Sequence, residues 1–496
     1  MTQEKPDGKI FNDSIHGHIE LHPLLVKIID TPQFQRLRNI KQLGGVYFVY
    51  PGASHNRFEH SIGVGYLAGE FVKSLQSRQP ELKIDDRDIL CVEIAGLCHD
   101  LGHGPFSHLF DQMFIPEACK GSKWKHEDAS IAMFDHLVEV NDLKNDMEHY
   151  GLKLKEDLVF IKELIHGHPL EDKENGQKPK ESSTPWPYKG RNEEKSFLYE
   201  IVANKLNGID VDKFDYFARD CHHLGMKNNF DHQRFFKFAR VCKYKYRRHI
   251  CSRDKEVGNL YDMFHTRSRL HKKAYQHRVN KNIEIMIKDA LLKANPHIKI
   301  QGSKKKKFTL SKAIHDMEAY TKLTDQVLEK IINPDSNQPD LEEANKIVQR
   351  IFSRKLYKFL GEAKLGVQME KEQLKATIES LKQELRKGEG PPEQNIFEVV
   401  VVSVDYGMKD KDPMEKTYFY RKSDYEKAVP KHKVSKLLPE RFSEQVIRVY
   451  WKSEEGSSEA KELYKEWCKK NHFEHDQENT DKAKDAADEG SAGMQQ

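Results

Sequence analysis

Residues 90–108, LCVEIAGLCHDLGHGPFSH, constrain the fold of this chain more than any other segment. Their apolar side chains recur at helical spacing up to His99 and Asp100, an imidazole beside a carboxylate. Gly102, Gly104 and Pro105 then break the helix, with His103 between the two glycines and His108 after the proline. A helix end that presents several imidazoles next to a carboxylate is suited to hold a metal ion.

The fold class follows from the spacing of apolar residues along the chain. Helical patterns cover about residues 66–75, 87–100, 124–138, 156–165 and 257–295, and a helix that begins at Pro32 should stop at Gly44-Gly45. VYFVY (46–50) is strand-like, and IFEVVVVSVDYG (396–407) is the clearest strand. We therefore expect a mainly α fold with a smaller mixed α/β C-terminal lobe. The expected domains are a disordered arm (1–8), a catalytic region (9–360) with a core at about 57–217, the mixed lobe (361–470) and a disordered acidic tail (471–496), with a long surface loop at 168–195.

Composition excludes several classes of protein. No apolar run approaches the roughly 18 residues that a membrane span needs, and the first residues lack the apolar core of a signal peptide. The seven cysteines are scattered without a CxxC pair, which favours a reducing compartment over a disulfide framework. Since 82 basic residues nearly balance 78 acidic ones, net charge does not identify a partner. We expect a soluble intracellular protein that does not bind membranes.

Metal-ligand chemistry concentrates in the first half of the chain, where six histidines lie between residues 55 and 126. Imidazoles and carboxylates without paired cysteines suit Zn, Fe, Mn or Ni in an open, catalytic site. The candidate ligands are His60, His99, Asp100 and a later carboxylate, Asp212. Any one of these histidines could be a hydrogen-bonded core residue, so the prediction rests on the ordered set.

Two later helices carry polar stripes. Asp212, Tyr216 and Asp220 are spaced at i, i+4 and i+8, so they share one helix face. A second stripe of the same spacing is formed by Arg267, His271 and Tyr275. Either the stripes line a polar pocket, or they are solvated faces with satisfied tyrosines.

Several long strings resemble one known family, the SAM-and-HD-domain deoxynucleoside triphosphate triphosphohydrolases. The strings are HNRFEH, CHD with LGHGPFSH, KWKHE, NGIDVDKFDYFARDCHHLG, NLYDMFHTR and KKAYQH, and the resemblance covers about residues 9–468. It implies an all-α HD-superfamily core and an enzyme that hydrolyses a dNTP to deoxynucleoside and inorganic triphosphate, and so controls the cellular dNTP pool. It also implies a Zn, Fe or Mn ion on His60, His99, Asp100 and Asp212, with Mg accompanying the triphosphates.

The resemblance assigns further roles at the same site. His126, held by Glu127, would serve proton transfer and phosphate contacts together with three neighbours. Leu43 packed near Tyr275 would leave no room for a ribose 2′-hydroxyl. The three neighbours are His103, His108 and Asp111. The residues implied to bind substrate are Gln42, Leu43, Arg57, His108, Lys213, Tyr216, Asp220, Arg267, His271, Tyr275 and Gln276.

The resemblance also implies an enzyme that is switched on by nucleotides bound between the subunits of a homotetramer. A GTP site is implied at Lys9, Ile10, Asp30, Gln35, Arg38, Arg354 and Lys358. A second, dNTP activator site is implied at Asn12, Val49, Arg234, Arg253, Lys255, Asn259, His277, Arg278 and Lys422.

The chain also departs from the family pattern. No SAM domain precedes Lys9, no basic nuclear-targeting cluster is evident, and the tail lacks a Thr-Pro motif, so nucleus and cytoplasm stay open. Cys242 and Cys251 match a redox-sensitive pair, whereas Arg421 replaces a third cysteine. The antiviral restriction and innate immunity known in the family are implied by resemblance alone. The alternatives are an HD-type nuclease or phosphodiesterase acting on single-stranded nucleic acid, and a catalytically silent scaffold that binds such nucleic acid.

Overall fold

The computed structural model describes residues 8–170, 186–334, 339–365, 369–387, 396–407, 411–431, 442–453 and 455–475. The chain forms two compact units, one of residues 1–355 with 406–440 and one of residues 356–405 with 441–496. The expected arm up to residue 7, residues 171–185 of the expected surface loop and residues 476–496 of the expected tail lie outside the described residues.

Helices dominate the described residues, and the predicted mainly α fold with a mixed lobe is confirmed. The first fifteen α-helices in chain order belong to the first unit and the last two to the second. The helices are α1 (Pro23–Ile29), α2 (Pro32–Gln35), α3 (Arg57–Arg78), α4 (Asp86–Cys98), α5 (Ile115–Ala118), α6 (His126–Val140), α7 (Leu143–His149), α8 (Leu154–His166), α9 (Val211–His223), α10 (His232–Phe238), α11 (Val257–Leu270), α12 (Arg278–Ala294), α13 (Met317–Thr321), α14 (Val327–Ile332), α15 (Glu342–Phe352), α16 (Lys371–Leu385) and α17 (Ser457–Lys470).

The strands form small sheets. They are β1 (Lys9–Asp13), β2 (Gly17–Leu21), β3 (Ala239–Tyr244), β4 (Arg247–Arg253), β5 (Lys299–Gln301), β6 (Lys307–Thr309), β7 (Lys358–Leu365), β8 (Phe397–Asp405), β9 (Tyr418–Arg421), β10 (Asp424–Pro430), β11 (Ser443–Trp451) and β12 (Glu474–His475).

In the first unit, β1 and β2 form an antiparallel hairpin with Lys9 opposite Leu21, and β5 pairs with β6. A closed barrel of order β10-β3-β4-β9 is the third sheet of this unit. The second unit contains an antiparallel sheet of order β12-β7-β11-β8. Its core includes Leu381 of α16 and Tyr464 and Trp467 of α17, together with alternate residues of β7 and β11.

Helices α3 and α4 form the centre of the first unit and position the site. A capping box starts α3, in which the Asn56 amide donates to Glu59 (2.7 Å), and Asp85 accepts the Asp88 amide (2.8 Å) at the start of α4. The two helices approach closely because small residues face each other. A Cβ on Gly96 would lie 3.0 Å from the Val64 carbonyl oxygen.

Three predicted elements differ from the structure. The helix predicted from Pro32 to Gly44-Gly45 is shorter in the structure, because α2 passes into a 3-10 turn over Arg36–Asn39. The chain then pairs with residues 55–57, where the Gln42 amide donates to the His55 carbonyl (3.0 Å). The strand predicted at VYFVY is wrong, since Gly44–Phe48 is a 3-10 helix. The single helix predicted at 257–295 is divided into α11 and α12 by a π-helical turn at His271–Tyr275.

The start of the expected disordered tail (471–496) is ordered instead, because Glu474–His475 form strand β12, which pairs with β7. No helix within the described ranges is both long and apolar enough to cross a membrane.

Candidate active site

Three helices bring the predicted metal ligands together. His60 lies in the second turn of α3, His99 is the C-cap of α4 with Asp100 directly after it, and Asp212 lies in the first turn of α9. One potential ligand atom each from His60, His99 and Asp212 falls within 4.8 Å of the others. The Asp100 oxygens lie 3.3 Å from the Nε2 atoms of both His60 and His99. All four side chains therefore surround one point.

Hydrogen bonds fix the orientation of both imidazoles. His99 Nδ1 lies 2.7 Å from the Gly96 carbonyl oxygen, which can only accept, so Nδ1 carries a proton and Nε2 is the atom available to a metal ion or to a second proton. His60 Nδ1 similarly donates to Asp215 Oδ2 (2.7 Å). Among the described residues, neither buried Nε2 atom has a hydrogen-bond partner, although Asp212 Oδ1 lies 3.2 and 3.4 Å from them. Imidazole lone pairs that converge with carboxylates in this way fit a divalent cation.

The electrostatics of this cluster favour positive charge. Burial alone would lower the pKa of His60, but Asp100, Asp212 and Asp215 outweigh it and raise that pKa well above its ordinary value. Burial alone would raise the pKa of Asp100, yet Arg57 and the neighbouring imidazoles hold it well below the usual range. The carboxylates stay ionised, and the charge they require can come from protons or from a divalent cation.

A second layer behind His60 was missed by the sequence interpretation. Asp215 is fully buried and accepts from Arg219 Nε (2.9 Å) and Nη2 (2.8 Å) as well as from His60. His16, in the turn between β1 and β2, lies with its Nε2 2.7 Å from Asp215 Oδ1. Arg219 Nη2 also donates to Asp13 Oδ2 (3.0 Å). The spacing of Asp215 and Arg219 at i and i+4 was the available signal, but nothing local points to His16.

A second histidine cluster lies beside the first. His126 begins α6, and its ring stacks on His103 with centroids 4.0 Å apart. Asp111 Oδ2 accepts from His126 Nδ1 (2.8 Å), and Asp111 Oδ1 lies 3.4 Å from His108 Nδ1. Glu127 Oε2 is 3.5 Å from His126 Nδ1. These five residues, all predicted from resemblance, lie in one cluster.

The two stacked histidines have opposite pKa shifts. Burial, Arg57 and His126 lower the pKa of His103 well below its ordinary value. Burial also opposes the charged form of His126, but Asp111 and Glu127 raise its pKa. His126 therefore binds a proton more readily than His103.

A cavity of about 660 Å³ opens onto both clusters. The stripe Asp212, Tyr216 and Asp220 on α9 lines this cavity, so the pocket interpretation of that stripe agrees with its position. Burial, Arg267 and His108 lower the pKa of His271 to about 3, which keeps this ring neutral. All eleven predicted substrate residues line the cavity: Gln42, Leu43, Arg57, His108, Lys213, Tyr216, Asp220, Arg267, His271, Tyr275 and Gln276.

Asp220 lines the cavity and is held by two side chains. His55 Nε2 lies 2.6 Å from Asp220 Oδ1, and the Tyr275 hydroxyl donates to Oδ2. The His55 ring stacks on His223 at 4.3 Å between centroids. Two cations of the lining are held in the same way, since Lys213 Nζ donates to Asp210 (3.0 Å) and Arg57 Nη1 donates to Asp100 Oδ2 (2.6 Å). The Asp210 and Asp100 carboxylates thus orient these two cations.

The predicted activator residues are only partly brought together in one chain. Arg38 Nε donates to Gln35 Oε1 (2.8 Å), and its guanidinium lies 3.5 Å from the Phe58 ring centroid. Arg234 and Lys255 both lie over the Phe238 ring, 5.0 and 4.0 Å from its centroid.

The remaining members of these two sets lie on separate elements. Arg354 Nη2 donates to the Phe48 carbonyl (2.7 Å), and Arg253 Nε donates to Asp254 (2.8 Å). Asn259 Nδ2 donates to the Asp231 carbonyl (3.1 Å). Lys9, Ile10 and Asn12 lie on β1, Asp30 is the C-cap of α1, Val49 is the C-cap of a 3-10 turn, His277 and Arg278 begin α12, Lys358 begins β7, and Lys422 lies between β9 and β10.

Comparison with known proteins identifies the family of this chain. Residues 57–220 match the HD domain, a span that contains the four candidate ligands. The chain is 61% identical over 472 residues to deoxynucleoside triphosphate triphosphohydrolase SAMHD1 of Danio rerio and 55% identical over 475 residues to that of Homo sapiens, in each case covering 94% of this chain and 74% of the relative. It is 38% identical over 468 residues to the SAMHD1 homolog of Dictyostelium discoideum, covering 94% of this chain and 81% of the relative. The chain therefore belongs to the SAMHD1 family of HD-domain proteins.

Proposed function

We propose that this protein is a metal-dependent dNTP triphosphohydrolase, which converts a dNTP to deoxynucleoside and inorganic triphosphate. The observation that carries the proposal is the convergence of His60, His99, Asp100 and Asp212 at one side of a cavity of about 660 Å³. Curated relatives at 55–61% identity bear this activity in their names. A cavity of this size accommodates a nucleotide.

The four ligands would hold a divalent transition metal, namely zinc, iron or manganese. When bound, such an ion supplies Lewis-acid polarisation of the α-phosphate and lowers the pKa of water. Arg57, Lys213 and Arg267 would balance the charge of the triphosphate, with Mg²⁺ accompanying the phosphates. Since Asp100 and Asp210 orient two of these cations, their positions are set before substrate arrives.

His126 would give its proton to the 5′-oxygen of the departing deoxynucleoside. Asp111 and Glu127 raise its pKa against the effect of burial and so favour its charged form, and Asp111 holds the ring through Nδ1, which leaves Nε2 as the nitrogen that would donate. His103 stays neutral beside it, so the two stacked rings do not carry like charges. Glu127 adds negative charge next to His126 and supports the same protonation state.

The deoxyribose and base would lie between Leu43, Tyr216, His271 and Tyr275. Because both oxygens of Asp220 are already engaged, by His55 and Tyr275, the Asp220 carboxylate shapes this wall. A neutral His271 suits contact with an uncharged sugar.

Activation by nucleotides and assembly into a homotetramer are also part of the proposal. GTP would bind near Gln35 and Arg38, whose side chains already contact each other, and a dNTP activator near Arg234 and Lys255. Sites shared between chains would make activation and assembly one linked equilibrium.

The test is release of inorganic triphosphate from a dNTP mixture by purified protein with GTP and Mn²⁺. Asp212→Ala should abolish release, and His222→Ala, at the far end of α9, should retain it. Chelation should stop the reaction, and added metal should restore it. Degradation of a single-stranded oligonucleotide by a homogeneous preparation that leaves dNTPs intact would refute the proposal in favour of a nuclease.

A further inference from the structure

We propose that His16 is a positioning residue for the metal-ligand candidate His60, through which the β1–β2 hairpin helps to determine how tightly the metal site binds its ion. The inference rests on the proposed function and deepens it. His16 lies 44 positions from His60 in the sequence, in a turn between two five-residue strands, and no sequence pattern joins the two.

The connection is a continuous chain of buried hydrogen bonds. The Arg219 guanidinium donates to both oxygens of Asp215, from Nε (2.9 Å) and Nη2 (2.8 Å), so the carboxylate is the accepting partner at each of them. His16 Nε2 must therefore donate to Oδ1 (2.7 Å), and His60 Nδ1 must donate to Oδ2 (2.7 Å). The bond from His60 Nδ1 orients the ring so that Nε2 faces Asp100 and Asp212, where it could bind a metal ion.

Each oxygen of Asp215 accepts two hydrogen bonds. Oδ1 accepts from His16 and from Arg219 Nη2 (2.8 Å), whereas Oδ2 accepts from His60 and from Arg219 Nε (2.9 Å). Arg219 is fixed to the same α9 as Asp215, but His16 comes from outside the helical core. Loss of His16 would leave Oδ1 of a buried carboxylate one donor short, so the carboxylate would rotate and weaken its hold on His60.

The hairpin turn is built to present His16. Asp13 Oδ1 accepts the backbone amides of Ile15 and His16 (both 2.8 Å), which closes the turn, and Gly17 takes the positive φ of 76° that ends it. Asp13 Oδ2 accepts from Arg219 Nη2 (3.0 Å). The turn is thus attached to α9 at two points, and the His16 side chain is 3% exposed.

The placement of the turn has a consequence for regulation. Strand β1 carries Lys9, Ile10 and Asn12, the residues proposed to contact activating nucleotides, and it runs directly into Asp13. Ile10 is 66% exposed, so one end of the strand is open to a partner. At the other end, Asp13 contacts Arg219, which holds the Asp215 carboxylate. A change in the hairpin would therefore reach a metal ligand through two hydrogen bonds.

The test compares His16→Leu with His16→Gln, with His18→Leu as the matched control because His18 is exposed on the same hairpin. A glutamine amide can donate from nearly the place of the imidazole Nε2, whereas leucine fills similar volume and cannot donate. The readout is the apparent affinity for Mn²⁺ and Co²⁺, measured by competition with a chelator without any dNTP, together with the visible absorption spectrum of the Co²⁺-loaded protein.

We expect H16L to bind either ion about 10–100-fold more weakly and to show an altered Co²⁺ spectrum. H16Q should recover most of the affinity and the spectrum, and H18L should match the wild type. Unchanged affinity and spectrum in H16L would overturn the inference, and so would an H16Q protein as defective as H16L. Since no measurement here involves hydrolysis, a protein that acts on another substrate would give the same results, so failure of this inference and failure of the proposed function are distinguishable. If H16L does not fold, H16Q against H16N decides, because the shorter asparagine amide does not reach the position of Nε2.

Discussion

Replacing Gly63 by alanine places a methyl group where the Asp215 carboxylate, which orients His60, lies. A Cβ at this position of α3 would be 2.0 Å from Asp215 Oδ1 and 2.6 Å from Arg219 Nη2. The carboxylate would have to retreat by about 1 Å, and hydrogen bonds of 2.7–2.9 Å do not survive such a displacement. Alanine gains about 1 kcal/mol over glycine in helix propensity, whereas disrupting a buried ion pair costs about 3–5 kcal/mol. The clash therefore outweighs the propensity gain, by about 2–4 kcal/mol.

Thermal unfolding and metal content measure both consequences. Gly63→Ala should lower Tm by roughly 2–5 °C and yield protein that retains much less metal after dialysis. The matched control is Gly258→Ala on α11, where no heavy atom lies within 4 Å of an added Cβ, so only the propensity gain should appear. A Gly63→Ala protein that melts at or above the wild-type temperature and keeps its metal would refute the argument that Asp215 needs this space.

Two further predictions concern the cavity. Asp111→Asn removes the strongest contact that raises the pKa of His126, so this pKa should fall. A required acid loses its proton along the alkaline limb of the pH profile of kcat/KM, so that limb should move to lower pH. A limb at the wild-type position would show that His126 is not that acid. Tyr275→Phe removes the hydroxyl that donates to Asp220 while preserving the ring. A hydrogen bond to a charged group contributes about 1.5–3 kcal/mol to stability, so Tm should fall by about 2–4 °C. Because the cavity wall at Asp220 is then less well ordered, kcat/KM for a dNTP should also fall, by about tenfold, and steady-state rates equal to the wild type would contradict the role of this contact.

The sequence predicted those parts of the site that depend on local spacing. His99 and Asp100 lie at a glycine-broken helix end, and Asp212, Tyr216 and Asp220 recur every four residues, so their positions follow from helix geometry. The histidine cluster around His126 required family resemblance, because its members come from separate elements.

Other parts depend on contacts that no local pattern contains. VYFVY has strand-like composition, but Gly44 takes a φ of 51° and a Cβ there would be 2.5 Å from the Phe106 carbonyl oxygen, so tertiary packing imposes a 3-10 turn. The helix from Pro32 ends early because Ile40 accepts the Arg57 amide (2.9 Å). His16 had no helical or strand periodicity to single it out, and its role appears only when β1, β2 and α9 are brought together.

The stacked rings of His103 and His126 can carry only one positive charge between them. Two positive rings 4.0 Å apart would repel each other by about 4 kcal/mol at an effective dielectric constant of 20. If His126 is the proton donor, as proposed, each turnover would remove the single positive charge of the pair, and a new proton would have to bind before the next. His108, whose ring lies 5.3 Å from that of His126 and whose side chain is 54% exposed, would be the nearest route for that proton from solvent. One proton would then serve one leaving group, so the alkaline limb of the rate profile should fall with the slope of a single ionisation.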